Sequence, residues 1–145
     1  MKILLLGKNG QVGWELQRAL SVLGEVVALD FDSPAPLTAD FSRPESLAAT
    51  VRAVAPQIIV NAAAHTAVDK AESEPDFARA LNATSPGVLA REAAALGAWL
   101  MHYSTDYVFD GSGSTPWVED SRTGPLSVYG STKLEGEDAI RASGC

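Results

Sequence analysis

Tyr129 and Lys133 are the pair of residues in this sequence with the clearest potential for chemistry. They stand four positions apart, so in a helix their side chains would lie on the same face. An ammonium group beside a phenol favours the phenolate and lowers the phenol pKa from about 10 toward the working range of an enzyme. Tyr129 would then be a general acid that protonates a carbonyl as it is reduced. The spacing also arises by chance, so its meaning depends on what surrounds it.

Three glycines with the spacing GxxGxxG lie near the N-terminus, at Gly7, Gly10 and Gly13. The first permits a tight turn, the second lets the backbone approach a pyrophosphate, and the third lets a helix pack closely on a strand. A helix beginning behind Gly10 would offer N–H groups and partial positive charge to phosphates. We predict a dinucleotide site here, and the alternative is a turn whose glycines serve conformation alone.

Two aspartates could contact the adenosine part of such a dinucleotide. Asp30 follows the second predicted strand, close to the offset of about 20 residues at which a carboxylate receives the adenine ribose hydroxyls. A carboxylate there favours NAD over NADP, because it repels a 2′-phosphate. The alternative for Asp30 is a solvated aspartate at a strand end. Asp40 could meet the adenine amino group, with Phe41 packed nearby.

The ends of the third and fourth predicted strands carry small and hydroxyl residues. Small residues after Asn61 would let a cofactor lie against the backbone, and Thr105 would either face the nicotinamide or cap its own loop. His65 and His102 are the only histidines, and no carboxylate or cysteine pattern beside them suggests a metal site. Each histidine taken alone is more typical of a packed or capping residue than of a base.

Short apolar runs alternate with helical periodicity along the chain. Ser42 and Glu45 form a predicted capping box around Pro44 at the start of the second helix. The predicted strands are 3–6, 26–29, 58–60 and 98–103, and the predicted helices are 12–23, 44–55, 75–96 and 128–142. Four βα units in series predict an α/β fold with a doubly wound, Rossmann-like parallel sheet. Ligands bind outside the carboxyl ends of the strands of such a sheet, where the residues above are expected to lie.

Composition narrows the class of protein. A chain of 145 residues corresponds to about one domain. Its net charge of −7 argues against a nucleic-acid binder, which usually has a basic patch, and against docking on anionic lipid.

The single cysteine, Cys145, allows no internal disulfide, which fits a reducing compartment. The longest nearly apolar run, 93–101, is far shorter than the roughly 20 residues that span a bilayer. We therefore expect a cytoplasmic protein.

These motifs together resemble the extended short-chain dehydrogenase/reductases. The segments 7–16, 61–74 (NAAAHTAVDKAESE) and 103–111 (YSTDYVFDG) are similar to the dTDP-4-dehydrorhamnose reductase family within that group. The resemblance implies hydride transfer from NADPH or NADH to the C4 ketone of dTDP-4-dehydro-L-rhamnose, giving dTDP-L-rhamnose. The segment 61–74 fits other extended-family epimerases and dehydratases poorly.

The resemblance also implies roles for particular residues. Tyr129 would protonate the nascent alkoxide, and Lys133 would hold the nicotinamide ribose and lower the tyrosine pKa. Thr105 would hydrogen-bond the substrate oxygen, with Asp106 beside the sugar. The remaining matches imply cofactor contacts at the pyrophosphate (Gly10, Gln11, Val12), around the adenosine (Asp30, Asp40, Phe41) and along the remaining cofactor path (Ala64, His65, Thr66, Tyr103).

Members of the resembled family are roughly twice this length and carry a second, smaller domain that holds the nucleotide-sugar. We therefore expect residues 1–145 to be an incomplete dinucleotide-binding domain without the substrate domain, and to be inactive alone. Some relatives form a homodimer around Mg²⁺, to which Glu15 could contribute in a full-length form. The alternative function is a non-catalytic dinucleotide-binding module that serves regulation or interaction.

Overall fold

Four parallel strands form the centre of the molecule in a computed structural model that describes all of residues 1–145. The sheet order is β2-β1-β3-β4, with β1 at Lys2–Leu6, β2 at Glu25–Leu29, β3 at Ile58–Asn61 and β4 at Trp99–His102. From β1 the chain first adds β2 on one side and then crosses over to add β3 and β4 on the other, so the strand order reverses beside β1. The predicted doubly wound parallel sheet is confirmed, and β1 lies at its interior as its uninterrupted apolar sequence indicates.

Helices cover both faces of this sheet. The helices are α1 (Gln11–Leu20), α2 (Pro44–Val54), α3 (Val68–Ser73), α4 (Pro75–Arg79), α5 (Ser85–Leu96) and α6 (Val128–Ala142). Leu16 and Leu20 of α1 pack against Ile3 and Leu5 on one face. The opposite face of the sheet packs against α2 and α5 in a larger core cluster. Alternate residues of β1 therefore serve two cores, as the period of two in a strand requires. None of the helices combines the length and apolar character needed to cross a membrane.

The predicted helix over 75–96 is divided in the structure. A π-helical turn at Ala80–Thr84 separates α4 from α5. Pro86 explains the wider turn, because it has no amide hydrogen to donate to the carbonyl of Asn82 and its ring would clash with that carbonyl in a regular α-helix. The local widening places Asn82 fully inside the protein.

The predicted capping box of α2 is wrong. The helix begins at Pro44 after Arg43, and no side chain caps it. Ser42 donates instead to Oδ1 of Asp40, from its backbone N–H at 2.9 Å and from its hydroxyl at 2.6 Å. The carboxylate of Asp40, two residues upstream, is the stronger acceptor for these Ser42 donors than the side chain of Glu45. An Asx turn therefore replaces the capping box.

Gly136 allows helix α6 to lie close to the π-helical turn. An added Cβ at this position would lie 2.1 Å from the backbone oxygen of Asn82, which is far inside van der Waals contact. The glycine therefore sets how closely α6 can approach the rest of the fold.

Gly136→Ala should lower the free energy of unfolding by about 2 kcal/mol or more, although alanine is intrinsically the better helix former by about 1 kcal/mol. Urea unfolding followed by circular dichroism measures the change. Ser131→Ala in the same helix is the matched control and should change stability by less than about 0.5 kcal/mol. A Gly136→Ala chain as stable as the unmodified one would show that the close approach is not required.

Candidate active site

The carboxyl ends of all four strands meet at one edge of the sheet. Leu6 at the end of β1 is in register with Leu29 of β2 and with Asn61 of β3, and Asn61 is in register with His102 of β4. The segments that follow these strands therefore begin side by side. This edge is the place where a doubly wound sheet binds ligands.

The glycine loop between β1 and α1 is shaped by close backbone contacts. Gly7 has φ +84°, and a Cβ there would lie 2.7 Å from the backbone nitrogen of Ala63. A Cβ on Gly13 would lie 1.9 Å from the carbonyl oxygen of Gly7. These two positions accept only glycine, while Gly10 has no such crowding. Gly10 instead leaves the start of α1 open, where no side chain caps the helix and both Gln11 and Val12 are exposed.

Asp30 lies at the predicted place beside this loop. Its Oδ2 accepts the backbone N–H of Asn9 at 3.0 Å, and its Oδ1 accepts that of Phe31 at 2.8 Å. The side-chain amide of Asn9 donates in turn to Asp32 at 3.2 Å. The carboxylate thus fixes the glycine loop to the end of β2. This contact is a structural role that the sequence did not reveal.

The two other predicted adenosine contacts, Asp40 and Phe41, lie in different environments: one side chain is partly exposed and the other is buried. The carboxylate of Asp40 is partly exposed, where it accepts from Ser42 and lies 3.6 Å from Arg43. The side chain of Phe41 is buried in the larger core cluster. The ring of Phe41 is therefore not available to adenosine, and its backbone oxygen accepts the hydroxyl of Ser85 at 2.7 Å.

His65 is a packed histidine in the structure. Its Nε2 lies 2.7 Å from Oε1 of Glu74, and its ring meets Phe77 edge to face at a centroid distance of 5.8 Å. The hydrogen bond from His65 lowers the pKa of Glu74, with a further contribution from Lys70. Ala64 and Thr66 on either side are more exposed, so the backbone of this segment faces the edge while the imidazole points away from solvent.

Thr105 caps the short 3₁₀ turn at Asp106–Val108. Its Oγ1 accepts the backbone N–H of Tyr107 at 3.2 Å and lies 3.4 Å from Oδ1 of Asp106. The capping alternative for this hydroxyl is therefore observed. The ring of Tyr107 packs edge to face on the ring of Tyr129, with centroids 5.5 Å apart. This aromatic contact brings the loop after β4 against the start of α6.

Helix α6 presents Tyr129 and Lys133 on successive turns, as predicted. Ser127 caps the helix by accepting the N–H of Gly130 at 3.1 Å, and a Cβ on Gly130 would lie 2.2 Å from the backbone oxygen of Tyr107. This tight contact fixes the position of the first turn. Tyr129 keeps part of its surface exposed at the same edge.

Lys133 is buried, with 2% of its surface exposed. Its Nζ donates to the backbone oxygen of Tyr103 and lies 3.4 Å from Nε2 of His102. Burial lowers the pKa of Lys133 to about 8, while Glu137 opposes the shift. The lysine can therefore change its protonation state close to neutral pH, which suits a group that exchanges protons.

Sequence reasoning missed a pair of polar residues, of which His102 lies beside this lysine and Asn61 lies behind His102. Asn61 ends β3 and His102 ends β4, and their side chains contact each other at 3.0 Å. Burial, with the charge of Lys133, lowers the pKa of His102 to about 4, so its imidazole is neutral at pH 7. Both residues end apolar strands, and that interruption of the apolar pattern is the signal that could have identified them.

The structure gives no group of three or more histidine, cysteine or acidic side chains arranged to hold a metal ion. Glu15 lies on α1, where it pairs with Arg18 at 2.7 Å between two exposed side chains.

Lys133→Met should stabilise the fold while it removes the cation. The folded state lowers the lysine pKa from 10.5 to about 8, so the cost of the buried charge is full below pH 8 and is relieved as the pH rises toward 10.5. At pH 7 we expect urea unfolding to give the variant about 1–3 kcal/mol more stability than the unmodified chain, and a smaller difference at pH 10. A difference that does not change between these pH values would contradict a buried ammonium.

Comparison with known proteins identifies the family of this chain. The family described as RmlD substrate binding domain matches residues 1–145. The dTDP-4-dehydrorhamnose reductase of Escherichia coli K12 is 61% identical over 141 residues, which are 97% of this chain and 47% of that protein. Two solved structures of proteins with the same name are also similar. The one from Clostridium acetobutylicum has a TM-score of 0.90 at 40% identity, covering 98% of this chain and 49% of that one.

The second structure, from Bacillus anthracis, was solved in complex with NADP and has a TM-score of 0.88 at 31% identity. It covers 97% of this chain and 49% of that one. The chain therefore spans about half the length of the relatives it matches. Since the match to the family extends over every residue described here, the chain belongs to the RmlD family.

Proposed function

We propose that this chain is the cofactor-binding and proton-donating part of an NAD(P)H-dependent dTDP-4-dehydrorhamnose reductase. The observation that carries the proposal is that an open glycine loop, Tyr129 and a buried Lys133 all lie at the same edge of the sheet. The relatives support the choice of substrate, since the proteins that this chain matches over about half of their length are named dTDP-4-dehydrorhamnose reductases. The sugar nucleotide is the proposed small-molecule partner.

The residues at this edge fit a nicotinamide dinucleotide. Any side chain at Gly7 or Gly13 would collide with backbone, so the loop stays closely folded at the start of α1. That helix start offers the N–H groups of Gln11 and Val12 to a pyrophosphate. Gly10, whose own N–H donates to the carbonyl oxygen of Gly7 at 3.1 Å, would leave room for the pyrophosphate to approach the backbone. The reduced nicotinamide, when bound, supplies the hydride for the C4 ketone. Ala64, Thr66, Tyr103 and the backbone at His65 would line its path.

Tyr129 would donate the proton in this reaction. As the ketone oxygen gains negative charge, the phenol of Tyr129 transfers its proton to it, and Thr105 would hold that oxygen through its hydroxyl. Asp106 would lie beside the sugar. Lys133, one turn further along α6, would stabilise the phenolate that remains and bind the ribose hydroxyls.

Cofactor choice follows from charge at the end of β2. The carboxylates of Asp30 and Asp32 both contact Asn9, so negative charge is concentrated where the adenine ribose would lie. This favours NADH, while the NADP bound to the Bacillus anthracis relative supports NADPH. We propose that the chain accepts both. Asp40 would contact the adenine, and a Mg²⁺-linked homodimer through Glu15 remains a prediction for the longer form.

Activity is tested in a chimera in which residues 1–145 replace the matching half of the Escherichia coli relative, beside the 145-residue chain alone. We expect the chimera to oxidise NADPH with dTDP-4-dehydro-L-rhamnose and the chain alone to bind NADPH without turnover. An inactive chimera that folds and binds NADPH would favour the non-catalytic dinucleotide-binding module instead.

In the active chimera, Tyr129→Phe should lower kcat by about 100-fold to 10,000-fold, because it removes the general acid and leaves the aromatic packing in place. The affinity for NADPH, measured by calorimetric titration, should change little. Asp138→Asn, an exposed substitution on the same helix, is the matched control. Retention of more than a tenth of the activity in Tyr129→Phe would remove this residue from the mechanism.

A further inference from the structure

Asn61 orients the imidazole of His102 at the ends of two adjacent strands. The backbone N–H of Ala63 donates to Oδ1 of Asn61 at 3.0 Å, which fixes the amide oxygen on that side. The amide nitrogen therefore faces Nδ1 of His102, at 3.0 Å. An amide NH₂ group can only donate, so Nδ1 must be the acceptor of this hydrogen bond.

The tautomer of His102 follows from this contact. A neutral imidazole whose Nδ1 accepts carries its hydrogen on Nε2. That Nε2 lies 3.4 Å from Nζ of Lys133. An ammonium group has only donors, so the Nε2–H of His102 can form a hydrogen bond with Lys133 only when the lysine is a neutral amine with a lone pair.

Apart from His102, the groups around Lys133 allow both of its protonation states. The backbone oxygen of Tyr103 accepts an N–H from the ammonium and from the amine alike. Glu137 on the next turn of α6 favours the ammonium, whereas burial opposes it and brings the pKa to about 8. The pKa of His102 is held near 4, so this ring stays neutral throughout the range in which Lys133 titrates.

We propose that His102 is a positioning residue: Asn61 holds it as the Nε2–H tautomer, and this N–H donates to the neutral amine of Lys133, which allows the lysine to release its proton during reduction. The inference rests on the proposed reductase function. When Tyr129 has given its proton to the substrate oxygen, the phenolate takes a proton from the Lys133 ammonium. The broken N–H leaves an amine lone pair that accepts from His102. A proton from bulk solvent, the one proton that reduction of the ketone consumes, later restores the ammonium.

The tautomer can be read directly from ¹H–¹⁵N correlations of the imidazole in the ¹⁵N-labelled 145-residue chain. His65 is the only other histidine, so a His102→Leu sample assigns the signals. We expect a bare Nδ1 and a protonated Nε2 at pH 7. In Asn61→Asp, a nearly isosteric variant, the carboxylate accepts from the ring and should move the hydrogen to Nδ1. A hydrogen already on Nδ1 in the unmodified chain would overturn the inference.

The effect on Lys133 is measured by the pH titration of its Nζ resonance. His102→Leu removes the N–H donor to the amine, so the midpoint should rise from about 8 by roughly one pH unit. If burial alone set the midpoint, the apolar leucine would leave it unchanged or lower it, and either result would overturn the inference. The Nζ resonance of exposed Lys70 is the internal reference and should be the same in both chains.

These spectra require no substrate, so they separate this inference from the proposed function. The expected tautomer and midpoint shift would support the inference even if the chimera failed to reduce the sugar. In an active chimera, His102→Leu should also move the alkaline limb of the kcat–pH profile to higher pH by a similar amount. A merely structural loss would instead lower kcat equally at every pH.

Discussion

The buried side-chain amide of Asn82 joins the sheet edge to helix α6. Its Oδ1 accepts the backbone N–H of His65 at 2.8 Å, and its Nδ2 donates to the backbone oxygen of His65 and to Oγ1 of Thr132, each at 3.1 Å. Every one of these groups is shielded from water, so losing the amide would leave several of them unsatisfied. The π-helical turn before Pro86 is what carries Asn82 into this position.

The geometry of the candidate site depends on how Asn82 connects α6 to the rest of the fold. Gly136 packs over the backbone of Asn82 and Gly130 over the backbone of Tyr107, so α6 is fixed by two contacts that admit no side chain. Between them lies Lys133, whose Nζ is carried to the end of β4. The buried lysine is costly for folding, and the surrounding contacts offset that cost while keeping its proton exchangeable.

Local sequence patterns were sufficient for the parallel strands, the glycine loop and the Tyr129–Lys133 spacing, because each depends on neighbouring residues or on one helical turn. They could not reveal the contacts of Asn82 or the pairing of Asn61 with His102, which join segments far apart in the chain. The capping box at Ser42 failed for a different and local reason, since Asp40, two residues upstream, offered a competing acceptor. The buried ring of Phe41 reflects tertiary packing that its spacing did not indicate.

In the proposed function, the glycine loop and the Lys133 region form one binding site. A titration of NADPH into the ¹⁵N-labelled chain, followed at the backbone amides, would show whether the two regions respond together. We expect saturable shifts with one common affinity at Gly10–Val12 and at Tyr103–Thr105, and none at Gln57 on the opposite edge of the sheet. Shifts confined to one of the two segments, or different affinities at the two, would contradict it.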